Sequence, residues 1–233
     1  MKISGYFQAI FLASTILELG AETKSNKVQR SVLDIMAEDP PLERSVFTRG
    51  SISVQEQYLI LRMHDIYRSQ VNATNMMKLR YHIGISRKAQ TLADSCSFKQ
   101  DISANRAVAE LPNVFIGQNI CVGSYSWEDC ISTWANEMYN FGYGIGSRNG
   151  RPVGYYTQMV LWKSMAIGCG FNSCRGNPFY VCNYAYGQYR NEQKLPYKPG
   201  AQCTDCPNSC TEQAFCGIQH TLNNYCLCSK WSY

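Results

Sequence analysis

Ser53-Val54-Gln55-Glu56-Gln57-Tyr58-Leu59-Ile60-Leu61-Arg62-Met63-His64-Asp65-Ile66-Tyr67-Arg68 is the stretch on which the reading of this 233-residue chain turns. A serine followed three residues later by a glutamate forms a capping box. Each side chain takes one of the amides that the first turn of a helix leaves orphaned. Leu59, Met63, Ile66 and Tyr67 then recur at helical spacing. His64 and Arg68 lie four apart and share a face of that helix.

Working toward the C-terminus, a second helix is expected over 86–97, with Ala89, Leu92, Ala93 and Cys96 on one stripe. A third begins at Ser126 and carries Trp127, Cys130, Ile131, Trp134 and Met138. Residues 142–154 are rich in glycine and read as a loop. The segments 155–161, 166–171 and 178–186 are short, partly aromatic or β-branched, and predict antiparallel strands. Helices followed by strands predict a layered α+β fold rather than a doubly wound sheet.

Toward the N-terminus, residues 1–21 read as a signal peptide. Lys2 supplies the positive end, an apolar run broken only by Gln8, Ser14 and Thr15 follows, and Leu19-Gly20-Ala21 offers a cleavage point. The competing reading is a buried first helix. No stretch reaches the ~20 apolar residues of a membrane span. Residues 22–49 are polar, contain Pro40-Pro41 and read as a linker or propeptide, with a mature start expected near Gly50 or Ser51.

Twelve cysteines, all between Cys96 and Cys228, follow the signal. Their even number and the secretory context predict a disulfide framework in an extracellular protein. Cys203-x-x-Cys206 has the spacing of zinc ligands, but its crowded neighbours argue against a simple four-ligand site. The net charge is +5, with six charges of each sign in residues 1–49. That mildly basic balance suits anionic surfaces such as glycans, and no dense Lys/Arg run predicts nucleic-acid binding. Asn72-Ala73-Thr74 is a glycosylation acceptor. After Tyr186 the composition shifts. Lys194-Leu195-Pro196-Tyr197-Lys198-Pro199-Gly200 reads as a stiff connector leading to six cysteines within 203–228, namely Cys203, Cys206, Cys210, Cys216, Cys226 and Cys228. So short a stretch must be stapled, and residues 191–233 are expected to form a small hinge or tail after a main domain over 50–190.

Several dispersed motifs together resemble the cysteine-rich secretory protein family of the CAP superfamily. They are Met63-His64-Asp65-Ile66-Tyr67-Arg68, Asn75-Met76-Met77-Lys78-Leu79, Gly117-Gln118-Asn119-Ile120 and Trp134-Ala135-Asn136-Glu137. Gly154-Tyr155-Tyr156-Thr157-Gln158-Met159-Val160 with Trp162, Ile167-Gly168-Cys169, Val181-Cys182-Asn183-Tyr184 and the hinge-like Cys203-Thr204-Asp205-Cys206-Pro207-Asn208-Ser209-Cys210 complete the set. The resemblance covers residues 52–233 and implies an α-β-α sandwich of CAP type with a short disulfide-rich tail.

The family usually places two histidines and two glutamates in a cleft where imidazoles can hold zinc. By resemblance, His64 matches the first histidine and Glu137 one glutamate. Gln118 stands for the other glutamate and Tyr155 for the second histidine, with Leu161 as an insertion before Trp162. One imidazole and one carboxylate make a poor divalent-metal site. An amide cannot act as general base, and a phenol is a poor one at neutral pH. The expectation is therefore no catalytic residue, no metal and no cofactor, with His64 and Glu137 as a structural pair. The resemblance implies the bridges Cys96–Cys174 and Cys169–Cys182. Ile116 and Ala185 replace the family's third pair. Cys121 and Cys130, which the family pattern lacks, are expected to bond each other. The tail reads as abbreviated, ending in Cys226-Leu227-Cys228.

The function expected is that of a secreted, non-enzymatic ligand of reproductive tissue, like the shortened amphibian egg-jelly members that attract sperm. Its partner would be a cell-surface receptor or glycan, such as one on sperm, bound by a monomer that does not span the membrane. The alternatives are an ion-channel modulator of the venom type, a lipid or sterol carrier, or a hydrolase using the cleft.

Overall fold

The computed structural model describes residues 52–102, 106–206 and 227–228. The expected signal peptide and linker or propeptide, and Cys210, Cys216 and Cys226, lie outside them.

Helix α1, Val54–Ser69, carries the capping box: Ser53 Oγ accepts from the Glu56 amide, and Glu56 Oε2 accepts from the Ser53 amide at 2.8 Å. Strand β1 is Arg80–Tyr81. Helix α2, Ile83–Ser95, starts three residues earlier than the apolar stripe alone indicates. Its N-cap is His82, whose Nδ1 accepts from the Ile85 amide. It ends at Cys96 in the left-handed region, φ 52°. Strand β2 is Ile116–Val122. Helix α3, Trp127–Asn136, starts behind a Ser126 cap. Strands β3, Phe141–Gly142, and β4, Gly146–Ser147, make a small hairpin. Helix α4 is Gly154–Met159, and strands β5, Ala166–Cys174, and β6, Asn177–Ala185, form the central hairpin.

The main sheet runs β1-β5-β6-β2, antiparallel except for the parallel β1–β5 pair. The pleat sends alternate side chains to opposite faces. Phe179, Val181, Ile116 and Ala185 face α2 and its Ile85, Ala89, Leu92 and Ala93. Tyr184 and Asn119 face the side of α1, α3 and α4, where His64 bonds Tyr184 and Trp134 Nε1 donates to Ile120 O at 2.8 Å. The result is the α-β-α sandwich. Ile116 and Ala185, which replace a family disulfide, are register partners across β2 and β6, and an apolar contact occupies the place of the bond.

Helix α2 lies directly on the backbone of β5. A Cβ at Gly168 would meet the Ser86 nitrogen at 2.2 Å, and one at Gly170 the Gln90 nitrogen at 2.4 Å. Neither obstacle is a flexible side chain, so the helix itself must move. Gly170→Ala is expected to cost about 1–3 kcal/mol in urea unfolding. A cost near zero would mean that α2 is not held at this distance.

One element differs in kind from the sequence expectation. Residues 155–161 are not a strand: the backbone is helical over Gly154–Met159. Six residues of tyrosine, threonine and similar types do not hold a helix alone. Both ends are held from outside. Glu137 Oε2 accepts from the Tyr155 and Tyr156 amides at 2.7 and 3.0 Å. The Arg68 guanidinium donates to Met159 O and Leu161 O at 2.8 and 2.9 Å. Tertiary hydrogen bonds override local strand propensity.

The four bonded pairs among the described residues are Cys96–Cys174, Cys121–Cys130, Cys169–Cys182 and Cys206–Cys228. Described tail residues are tied to segment 72–78 by main-chain bonds, among them Thr74 N to Lys198 O and Cys228 N to Met76 O.

Candidate functional site

His64 sits on the inner face of α1, fully buried. Its Nδ1 lies 2.7 Å from Ile60 O and its Nε2 2.9 Å from the Tyr184 hydroxyl. A carbonyl only accepts, so the Nδ1 proton points at Ile60 and Nε2 accepts from Tyr184. Asn119 Nδ2 in turn donates to the Tyr184 oxygen, at 3.3 Å, and to Tyr155 O, at 3.1 Å. The network is a chain of neutral groups that ties α1 to β6, β2 and α4 and leaves the buried Asn119 Oδ1 without a partner among the described residues.

The other three cleft positions do not join it as a ligand set. Gln118 immediately precedes Asn119 on β2, so the pleat turns it to the α2 face. There its Nε2 donates to Asn183 Oδ1 at 2.8 Å and its Oε1 accepts from the Asp101 amide at 2.7 Å. Glu137 spends Oε2 on the two α4 amides. Burial pushes its carboxyl up, against the pull of those two donors. Tyr155 is half-buried beside Trp134, and burial together with Glu137 holds its hydroxyl above the ordinary phenol range. His64 and Glu137, expected as a pair, are each bonded elsewhere.

These donors do not fit a divalent cation. Both His64 nitrogens are engaged, and Gln118 faces away. What is left is one oxygen of a carboxylate whose other oxygen caps a helix, and the Tyr155 phenol, which burial and Glu137 keep protonated. The tail cysteines fare no better. The sulfurs of Cys203, Cys206 and Cys228 lie within 4.8 Å of one another, but all three are in disulfides and carry no thiolate.

Sequence reasoning passed over two residues that shape this region. Arg68, noted only as sharing the His64 face, is fully buried and donates exclusively to main-chain carbonyls. Asp65 is also buried, and its Oδ1 has no hydrogen-bond partner among the described residues. An Asp and an Arg on the buried side of a helix with a capping box was the available signal.

Burial sets opposite pH responses on two adjacent residues. It lowers the His64 pKa from 6.5 to about 4, with Arg68 adding to the shift and the Ile60 hydrogen bond opposing it. It raises Asp65 from 3.8 to about 6, against the pull of Lys78, Arg68 and Arg62. Between pH 4 and 6 the unfolded chain binds the extra histidine proton, so His64 makes stability fall as pH falls. Over the same window the native chain binds the extra aspartate proton, so Asp65 makes stability fall as pH rises. Each slope is about 1.4 kcal/mol per pH unit, and the two cancel. Asp65→Asn is therefore expected to steepen the rise of stability with pH, relative to the parent, and His64→Gln to reverse it. Urea midpoints at three pH values check this; parallel profiles for all three proteins would refute the opposed pair.

The sequence profile of the cysteine-rich secretory protein family, the CAP domain, matches residues 61–184. The chain belongs to the cysteine-rich secretory protein family. Among its relatives, cysteine-rich venom protein Mr30 of Conus marmoreus is 36% identical over 157 residues, which cover 66% of this chain and 52% of the venom protein. The chain thus spans about half the length of that relative. Allurin of Xenopus tropicalis is 30% identical over 170 residues, covering 70% and 83%. Cysteine-rich secretory protein 3 of Equus caballus is 31% identical over 183 residues, covering 74% and 72%. In three dimensions, venom allergen-like protein 4 of Schistosoma mansoni superposes with a TM-score of 0.56 at 27% identity, over 64% of this chain and 96% of that one. NaASP2, solved with Zn2+, shares the fold with a TM-score of 0.54 at 22% identity, over 68% and 93%. In this cysteine-rich secretory protein no described helix is long and apolar enough to cross a membrane.

Proposed function

We propose that this protein is a secreted, non-enzymatic ligand of reproductive tissue that attracts sperm, acting as a monomer on a cell-surface receptor or glycan. One observation carries the non-enzymatic half. The histidine of the cleft is neutral, fully buried and bonded at both nitrogens, so it is not poised to take a proton from a substrate in solvent. The reproductive half is supported by the likeness to allurin over 83% of that protein's length. The 36% identity to a Conus venom protein favours a second reading, modulation of an ion channel.

A micropipette gradient of purified protein over swimming sperm separates the two. Directed turning is expected, unchanged by a zinc chelator and unchanged in Tyr155→Phe, which removes a cleft hydroxyl. Absence of turning together with block of a membrane current would move the assignment to the second reading. Activity lost on chelation and restored by zinc alone would overturn the silent cleft.

A further inference from the structure

The tripeptide Asn72-Ala73-Thr74 meets the tail at every one of its residues. Asn72 is exposed, but its carbonyl accepts from the Gly200 amide at 3.0 Å. Ala73 is buried and forms an antiparallel bridge with Pro199. Thr74 is 6% exposed. Its amide donates to Lys198 O at 2.9 Å, its carbonyl accepts from the Asp205 amide at 3.0 Å, and its hydroxyl donates to Asp205 Oδ2 at 2.9 Å. Gly200 passes so close that a Cβ there would meet the Thr74 methyl at 2.6 Å. The Cys206–Cys228 bond and the two main-chain bonds of Cys228 to Met76 and Lys78 hold the tail in this place.

An asparagine-linked glycan is attached to a tripeptide whose third residue must offer its hydroxyl to the transferase. Here the asparagine side chain is open while that hydroxyl is covered. We propose that Asn72 accepts its glycan only while residues 198–206 are undocked, so that closure of the tail ends the period in which the site can be modified. The inference is independent of the function proposed above. In the transfer, a bond forms between Asn72 Nδ2 and the anomeric carbon of a lipid diphosphate-linked oligosaccharide. The anomeric C–O bond breaks, the lipid diphosphate leaves, and the amide loses one proton. The tail residues lie 124 to 131 positions beyond Thr74, so the acceptor is synthesised well before the segment that covers it.

The test uses the oxidised full chain produced in a host without the transferase. It is incubated with purified oligosaccharyltransferase and a lipid diphosphate-linked oligosaccharide, and mass spectrometry reads occupancy of Asn72. Four proteins are compared: the parent, the double variant C206S/C228S, Asp205→Ala, and the parent reduced and alkylated. The parent is expected to stay unmodified. The reduced chain and the double variant should be modified at least tenfold faster, with Asp205→Ala between them. Disulfide mapping of Cys96–Cys174 and Cys169–Cys182 in the double variant reports that the main domain has folded. A parent modified as fast as the reduced chain overturns the proposal. So does a reduced chain left unmodified at Asn72, or a folded double variant as inert as the parent.

Discussion

Arg68→Met is expected to cost about 3–5 kcal/mol of folding stability, the range seen when one side of a buried charged network is removed. The guanidinium is fully buried on α1. It donates to Met77 O, Met159 O, Leu161 O and Ser164 O, at distances from 2.5 to 3.1 Å. Methionine follows the aliphatic stem and has no donors, so the carbonyls of Met77, Met159 and Ser164 would lose the guanidinium, while Leu161 O would keep only the Ser164 amide. Each such loss is worth about 1–3 kcal/mol, partly offset because no charge then needs to be desolvated. The C-terminal end of α4 would lose its cation as well. Burial already holds the arginine down to about 10, which still leaves it charged at neutral pH. Arg68→Lys keeps the charge but cannot fork toward both residue 77 and residues 159–164, so it should recover only part of the loss. Urea unfolding with secretion yield measures both. An Arg68→Met protein within 1 kcal/mol of the parent would show that those carbonyls find other partners.

Opening Cys96–Cys174 through C96S/C174S is expected to cost about 4 kcal/mol, and opening Cys121–Cys130 through C121S/C130S about 2–3 kcal/mol. The first bond closes a sequence separation of 78 and the second one of 9. A longer loop frees more conformations in the unfolded chain. The Cys96 bond also fixes the left-handed end of α2 against the end of β5, where both cysteines pack with Phe179 and Val181. The order of the two effects, more than either size, is the test. Equal losses would place the stabilisation in native contacts rather than in the restricted unfolded chain.

Wherever local chemistry was strong, the sequence was enough. Ser53 and Glu56 announce α1 because a capping box is built from residues three apart. Ser126 announces α3 as a plain N-cap, its hydroxyl accepting from the Asp129 amide. The strands of the β5–β6 hairpin read from short, partly aromatic or β-branched segments, and the dispersed motifs named the family. What the tertiary structure decided has a different physical origin. Helix α4 carries strand-prone residues and exists because Glu137 and Arg68, remote in sequence, satisfy its two ends. Strand β2 holds the polar pair Gln118-Asn119 between Ile116 and Ile120, and the burial of that pair comes from neighbours on both faces rather than from its own hydrophobicity. The candidate cleft turned on one detail of pleating. Motif matching places Gln118 with His64, but register with Asn183 sends Gln118 to the α2 face and leaves Asn119 to meet the Tyr184 hydroxyl. Residue identities and short-range spacing are written along the chain. Which face a strand residue takes, and which distant carboxylate or guanidinium closes a helix end, is set only when strands pair and helices pack, because those hydrogen bonds join groups up to 120 residues apart.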